Sequence, residues 1–216
     1  MAFTDRARGA AAGSAPPGPA EPKTARGAAT RRRLIDAARD ELVQRDGILE
    51  IDSVAARADV SVGAIYRHFD LRAGLIGAVV DDFYTRYREQ TLEVNPAPGG
   101  RFPERERKRT ELSVAFHYRD PLARVILSAL HLDAEVAVKE AAQVAEMVDL
   151  ASSVMALGQR RGELPADRDP RFVGAMIIGG MRQVLAVALA GGTPMPERDT
   201  ARRLWILIAG IMGVDP

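Results

Sequence analysis

Residues 50–69 constrain the fold more than any other stretch, because they follow the pattern of two short helices joined by a tight turn. The first helix carries four apolar residues at the spacing i, i+3, i+4 and i+7, namely Ile51, Val54, Ala55 and Ala58. This spacing places them on one helix face. Asp59 falls in the turn, where a left-handed residue is usual, and Asp accepts that conformation cheaply. The pattern predicts a helix-turn-helix.

The second helix of this motif should present small residues at its N-terminus. We expect Ser61 to be its N-cap, with the hydroxyl accepting a backbone N–H. Val60, Ile65 and Phe69 should turn inward. The predicted outer side consists of Ser61, Val62, Gly63, Ala64, Tyr66, Arg67 and His68. The small residues would let the backbone approach base edges. Tyr66, Arg67 and His68 are hydrogen-bond donors suited to sugar-phosphate contacts.

The motif and its flanking segments together resemble the N-terminal domain of the TetR (tetracycline-repressor) family of bacterial transcription regulators. The resemblance rests on Leu34, Ala37, Ala38, Gly47, Val54, Ala55 and the segment Val60-Ser61-x-Gly-x-Ile-Tyr-x-His-Phe. It implies that Tyr66 and His68 contact phosphates, and that Ser61 to Ala64 and Arg67 face bases or phosphates. It further implies DNA-backbone contacts at Thr30 and Arg31, where the first helix begins, and at Arg72, where the fourth does.

Two positions depart from the family pattern. Asp59 stands where the family usually has Gly, and Arg72 stands where it usually has Lys. Asp70 rather than Leu71 is expected to cap the fourth helix, because Asp is a good N-cap.

Other classes of function compete with DNA binding. Pairs of amphipathic helices also occur in proteins without DNA affinity, although the Tyr-x-His-Phe ending favours a DNA-binding motif. A helical enzyme or an interaction protein that uses a C-terminal cavity is the alternative. The three His residues are scattered at 68, 117 and 131, and no Gly-rich phosphate loop or nucleophile elbow appears, so we predict no enzyme activity.

Composition and charge suggest the domain organisation. The 216 residues include no Cys, which excludes a disulfide framework and makes a cytoplasmic location the expectation. Residues 1–33 hold seven basic and two acidic residues. Residues 1–29 are rich in Ala, Gly and Pro, and we predict a disordered basic arm there, which either follows the DNA backbone or has no role. Residues 30–76 would form the DNA-binding domain and 77–216 a helical ligand-binding and dimerisation domain.

The remainder indicates an all-α protein whose last two helices are apolar on most sides. Nearly every residue from 172 to 190 and from 204 to 214 is apolar or Gly. A membrane span is disfavoured by Arg182 and Gln183 in the first run and by the shortness of the second. We therefore predict a homodimer interface, as the family resemblance also implies, at Phe172, Met176, Leu204, Trp205, Ile208 and Met212. Two domains related by a two-fold axis would bind a palindromic operator.

The resemblance finally implies a small-molecule pocket in the C-terminal domain. The candidate lining residues are Tyr84, His117, His131, Met147, Met155, Met176 and Met181. The alternative that each Met only fills the core stays open. No metal site and no cofactor are expected, since the acidic residues near His131 lack a second ligand cluster. The predicted function is a ligand-responsive regulator, most simply a repressor that a small molecule releases from double-stranded operator DNA.

Overall fold

The structure is a computed structural model that describes residues 24–128, 134–191 and 193–216. Within these ranges the regular secondary structure is entirely helical, which confirms the predicted all-α class. The helices are α1 Ala25–Gln44, α2 Ile51–Ala58, α3 Val62–His68, α4 Arg72–Tyr87, α5 Phe102–Arg119, α6 Leu122–Ser128, α7 Ala134–Arg160, α8 Pro170–Leu189 and α9 Glu197–Met212.

The first helix begins earlier than its predicted start at Thr30. Thr24 is the N-cap of α1, and its hydroxyl accepts a hydrogen bond of 3.1 Å from the backbone N–H of Gly27. A capped start followed by several Ala residues favours helix over disorder. The last five residues of the predicted disordered arm, 25–29, are therefore helical, which corrects that part of the prediction. Its other residues, 1–23, lie outside the described residues.

The helix-turn-helix forms where the sequence places it, with the predicted N-cap position of α3 correct and that of α4 wrong. Asp59 has φ 52° and ψ 54°, the left-handed conformation expected in the turn. Ser61 occupies the N-cap position of α3, but its hydroxyl makes no capping hydrogen bond. Leu71, not Asp70, is the N-cap residue of α4. We attribute this shift to Phe69, which is fully buried, because the chain must reach the core before α4 can begin.

The hydrophobic core continues from the N-terminal domain into the C-terminal domain through α4. One cluster joins Leu34 of α1 and Ile65 of α3 to Val80 of α4 and Ile126 of α6. The boundary that we place between residues 76 and 77 lies inside α4, within this cluster. A second cluster joins Val114 of α5, Leu185 of α8 and Leu204 of α9, among others. The helix α4 is therefore shared by both domains.

After Tyr87 the chain continues from α4 as a π-helical turn, Arg88–Leu92. Periodicity in the sequence alone could not show this change of hydrogen-bond pattern. Such π-turns are rare and often lie at functional sites.

Helix α8 has a mean hydropathy of 1.8 over an 18-residue window, so by length and composition it could cross a membrane. It packs against α7 and α9, and 44% of that window is buried within the chain. A core helix of a soluble protein meets the same criteria. The packing makes α8 a partly buried core helix, whereas the sequence analysis disfavoured a membrane span and predicted a subunit interface there.

The close approach of α7 and α8 depends on Gly174. A Cβ atom there would lie 2.6 Å from Ser152 Oγ and 2.9 Å from the Ser152 backbone nitrogen. We expect Gly174→Ala to lower the free energy of unfolding by about 1–3 kcal/mol, because the two backbones would have to separate.

The matched control is Gly74→Ala in α4, where the nearest atom to a new Cβ is Phe69 Cβ at an ordinary 3.9 Å. That change should stabilise the protein by up to about 1 kcal/mol, because Gly costs helix stability. Urea denaturation of both variants at one protein concentration measures the difference. Equal effects of the two substitutions would contradict the proposed contact.

Candidate DNA-binding and ligand-binding sites

The outer side of α3 is largely as predicted. Ser61, Gly63, Tyr66 and Arg67 are exposed, and Val62 and His68 are half-buried. Ala64 is buried instead, with 8% of its surface exposed, so its predicted place on the outer side is wrong. It lies about 100° from the fully buried Ile65 around the helix, close enough to share its inward face.

Gly63 gives this side of α3 an unobstructed surface. A Cβ atom added there would meet only Ser61 Oγ, at 4.0 Å. Its conformation requires no glycine either, since Gly63 is absent from the residues with positive φ. The packing of the chain therefore does not explain the glycine, whereas close approach of an external partner would.

The other predicted DNA contacts have partners within the domain. The Arg31 guanidinium lies over the Phe69 ring, 5.0 Å from its centroid, which places Arg31 beside the C-terminal end of α3. Arg72 Nε donates a 2.9 Å hydrogen bond to the Leu49 carbonyl, just before α2. Thr30 Oγ1 donates to the Arg26 carbonyl within α1. Arg72 thus helps to position α2 as well as being exposed at the start of α4.

A buried carboxylate, which the sequence analysis missed, joins α1 to α2. Only 1% of Glu41 is exposed, and it accepts a 2.7 Å hydrogen bond from Ser53 Oγ. Arg45 Nε lies 2.8 Å from the other carboxylate oxygen, Oε1. Arg57 Nη2 lies 3.5 Å from Oε2, the oxygen that Ser53 contacts. The charged side chain stands next to Leu42 in an apolar stripe, which is the one signal that the sequence offered.

A second buried carboxylate connects the two domains. Asp120, just before α6, accepts hydrogen bonds from Arg39 of α1 at 2.8 Å and from Arg86 of α4 at 2.9 Å. The Leu122 backbone N–H also donates to it. Burial alone would raise the pKa of Asp120, but these hydrogen bonds outweigh it and hold the pKa below its usual value. Sequence reasoning could not predict that these three charges meet, because they are distant along the chain.

Four of the predicted ligand-site residues meet in the C-terminal domain. Tyr84, His117, Met147 and Met181 surround a narrow space beside Arg182. Arg182 donates to Tyr84 Oη and, at 2.7 Å, to Glu140 Oε1. Burial raises the pKa of Tyr84, so its phenol stays protonated. The hydroxyl donates a 3.1 Å hydrogen bond to Glu140 Oε1. Arg182, which argued against a membrane span, is therefore paired between α4, α7 and α8.

A larger cavity lies beside this space, between α5, α7, α8 and α9. Met155 and Met181 line it, as predicted, together with Leu92 at the end of the π-helical turn. Its polar residues, which sequence reasoning missed, all belong to α5 and are Glu106, Arg109, Thr110 and Ser113. Met176 is 59% exposed on the outer side of α8, so its prediction as a lining residue is wrong. His131 lies outside the described residues.

The last two helices divide their apolar residues between core and surface. Leu204, Trp205, Ile208 and Met212 are each at most 5% exposed and belong to the chain's own core, which corrects their prediction as interface residues. They lie on one side of α9, which packs on α5 and α8. The exposed large apolar residues are Phe172, Met176 and Val187 on α8 and Ile206 and Leu207 on α9. Phe172 and Met176 thus remain candidates for an interface.

Among the described residues, no group of three or more His, Asp and Glu side chains could hold a metal ion.

Comparison with known proteins places this architecture. Residues 34–79 match the family model described as bacterial regulatory proteins, tetR family. A TetR-family transcriptional regulator from Pectobacterium atrosepticum superposes with a TM-score of 0.69 over 90% of this chain and 100% of its own, at 21% identity. The family match covers the helix-turn-helix and the first half of α4, and the chain shares the overall fold of this solved TetR-family regulator.

Two further solved structures share the fold. AibR, in complex with isovaleryl coenzyme A and operator DNA, has a TM-score of 0.60 and 17% identity over 86% of this chain and 100% of its own. RolR, in complex with resorcinol, has a TM-score of 0.62 and 18% identity over 88% of this chain and 90% of its own. At these identities they show the fold alone. No curated protein matches the chain in sequence.

The buried His117 makes stability depend on pH. Burial lowers the pKa of His117 from 6.5 to about 4 in the folded chain. The unfolded chain therefore binds this proton first as the pH falls, so the stability present above pH 6.5 is lost toward pH 4. We expect His117→Gln to reduce the loss of unfolding free energy between pH 7 and pH 5 by about 2 kcal/mol. Urea titrations at both pH values measure it, and an unchanged pH dependence would contradict the assignment.

Proposed function

We propose that the chain is a cytoplasmic, dimeric and ligand-responsive regulator, most simply a repressor, which binds a palindromic operator through α3 and releases it when a small molecule occupies the C-terminal domain. The observation that carries this proposal is the exposed side of α3, where Ser61, Gly63, Tyr66 and Arg67 face outward from an otherwise well-packed domain.

The DNA contacts follow from the chemistry of that side. Ser61 and Gly63 are small and lie at the N-terminus of α3, where a helix enters the major groove and approaches base edges. Tyr66 is 47% exposed, and its hydroxyl suits a phosphate oxygen. His68 and Arg31 flank Phe69 at the other end of α3, so both suit the DNA backbone. Arg67 is a candidate for bases or phosphates.

The dimer would form through the apolar sides of α8 and α9 that the chain leaves exposed. Phe172 is 76% exposed and Leu207 is 55% exposed, which is a large exposure for such side chains in a soluble protein. A two-fold axis through this surface would make the interface identical on both subunits. The two α3 helices would then bind half-sites about 34–36 Å apart, or a multiple of that distance.

Hydrogen bonds connect the lining of the larger cavity to α4, the helix shared by both domains. Tyr87 of α4 donates a 3.2 Å hydrogen bond to Ser113, which lines the cavity. Arg109, another lining residue, donates to the carbonyls of Thr91 and Leu92 in the π-helical turn that continues α4. A ligand that moves these side chains would displace the end of α4. AibR and RolR, with their bound small molecules, make such a ligand plausible here.

The proposal is tested first by selecting binding sequences from random duplex DNA at moderate salt, so that non-specific phosphate affinity does not dominate. A two-fold symmetric consensus is expected from a dimer with two recognition helices. Enrichment of no sequence, in the absence of any ligand, would contradict operator binding.

Substitution of the α3 surface should weaken binding to the selected operator. We expect Tyr66→Ala to lower affinity more than tenfold, since a hydrogen bond to a charged group contributes about 1.5–3 kcal/mol. Arg67→Ala should also weaken binding. Fluorescence anisotropy measures both, and Leu157→Ala, an exposed apolar residue on α7, is the control. Unchanged affinity of the α3 variants would remove α3 as the recognition helix.

A charge on the proposed dimer interface should separate the subunits. We expect Leu207→Glu to give monomers with little operator affinity, because two unpaired carboxylates would be buried near the axis. Val138→Glu is the matched control, since Val138 is an exposed apolar residue on α7. Sedimentation velocity distinguishes the species. Dimers that persist in Leu207→Glu would show that the interface lies elsewhere.

A further inference from the structure

We infer that the larger cavity selects uncharged, largely apolar ligands that carry a hydrogen-bonding group such as a hydroxyl, and that it discriminates against carboxylates and ammonium ions of the same size. This inference rests on the proposed function, because it names the chemical class of the effector. The argument depends on the walls of the cavity, on the balance of its charges and on its free hydrogen-bonding capacity.

The walls of the cavity are apolar over most of their area. Leu150 and Val154 of α7, Ile177 and Ile178 of α8, and Met212 of α9 contribute side chains. A predominantly apolar pocket with a few polar groups at one position is typical of small-molecule sites. The apolar part of a ligand would contact these walls, and its polar group would lie against α5.

The two charges among the described lining residues cancel. Arg109 Nε lies 3.1 Å from Glu106 Oε2, and the two residues are neighbours on one face of α5. Only 9% of the Glu106 side chain and 16% of the Arg109 side chain are exposed. Three backbone carbonyls, those of Thr91, Leu92 and Val94, also accept from Arg109 Nη1.

A ligand carboxylate would therefore have to compete with the Glu106 carboxylate for Arg109. Two like charges held close together in a poorly solvated site destabilise each other. A ligand ammonium would meet the same obstacle from Arg109. An uncharged ligand enters without an unpaired charge, which is costly to bury.

The hydroxyls of α5 offer hydrogen-bond acceptors for a neutral polar group. Thr110 Oγ1 donates its proton to the Glu106 carbonyl, so its lone pairs can accept from a ligand hydroxyl. Ser113, one helical turn further along α5, accepts a hydrogen bond from the Tyr87 hydroxyl. The polar residues thus suit an alcohol or phenol.

The chain's single Trp provides a direct measurement. Trp205 is 5% exposed on α9, on the same side as Ile208 and Met212, which line the cavity. We expect Trp205 fluorescence, checked by calorimetry, to show decan-1-ol binding to the full chain at least tenfold tighter than decanoate or decyltrimethylammonium at pH 8. Equal or tighter binding of either ion, or no binding of the alcohol, would overturn the inference.

Two substitutions with matched controls locate the binding. Glu106→Gln leaves Arg109 unbalanced and should raise decanoate affinity relative to the alcohol at least fivefold, whereas Glu111→Gln, a half-buried carboxylate of α5 that does not line the cavity, should leave the ratio unchanged. Ala151→Met fills the cavity and should weaken decan-1-ol binding at least tenfold, whereas Ala145→Met, exposed on α7, should not. If Glu106→Gln does not fold, the Ala151→Met pair decides; an unchanged affinity there would overturn the assignment of the cavity.

Binding to the selected operator separates this inference from the proposed function. A protein that binds its operator but shows no preference for the alcohol would overturn the ligand class and leave DNA binding intact. A protein that prefers the alcohol but selects no DNA sequence would support the ligand class and overturn the proposed operator function.

Discussion

The burial of α4 on almost all sides is the constraint on which the rest of the structure depends. From Ala73 to Tyr87 most of its side chains are buried, and they belong to a core that extends from α1 to α7. The helix-turn-helix packs on its first half, and the rest of the C-terminal domain packs on its second half. Because protein interiors are closely packed, α4 cannot move at one end without repacking at the other.

Charged side chains reinforce this joint at the surface of the core. Arg32 of α1 pairs with Asp82 of α4, which also accepts from Arg86. Arg86 also pairs with Asp120, and Asp120 pairs with Arg39 of α1. Hydrogen-bonded networks of this kind are directional, so they fix how α1, α4 and α6 lie against one another. The apolar core gives the joint its stability, and the network gives it a defined geometry.

The sequence predicted the features that local spacing encodes. The helix-turn-helix, the left-handed Asp59 and the inward Ile65 follow from periodicity and turn chemistry, and all three are found in the structure. The residues that meet only after folding were missed. Asp120 contacts Arg39 across 81 positions of sequence, and no periodicity argument reaches over that separation. Glu106 and Arg109 are neighbours on α5, but the cavity that they line is formed with residues distant in sequence.

The apolar helices show a subtler limit. The density of apolar residues in α9 predicted burial on most sides, but could not decide which side meets the chain's own core. Trp205 and Ile208 face inward against α5 and α8, so the candidates for a subunit contact are their neighbours Ile206 and Leu207. The same apolar composition fills the core on one side of the helix and leaves large apolar side chains exposed on the other.

The π-helical turn after Tyr87 ties the shape of the cavity to the winding of one helix. An extra residue in a helical turn rotates everything beyond it by about 100° relative to an unbroken α-helix. In the π-helical form of this turn, Leu92 lines the cavity and its carbonyl accepts a hydrogen bond from Arg109. Rewinding the turn into regular α-helix would carry the Leu92 side chain away from the cavity wall and its carbonyl away from the guanidinium. The register of a single turn thus sets both the shape of the cavity and the length of regular α-helix in α4.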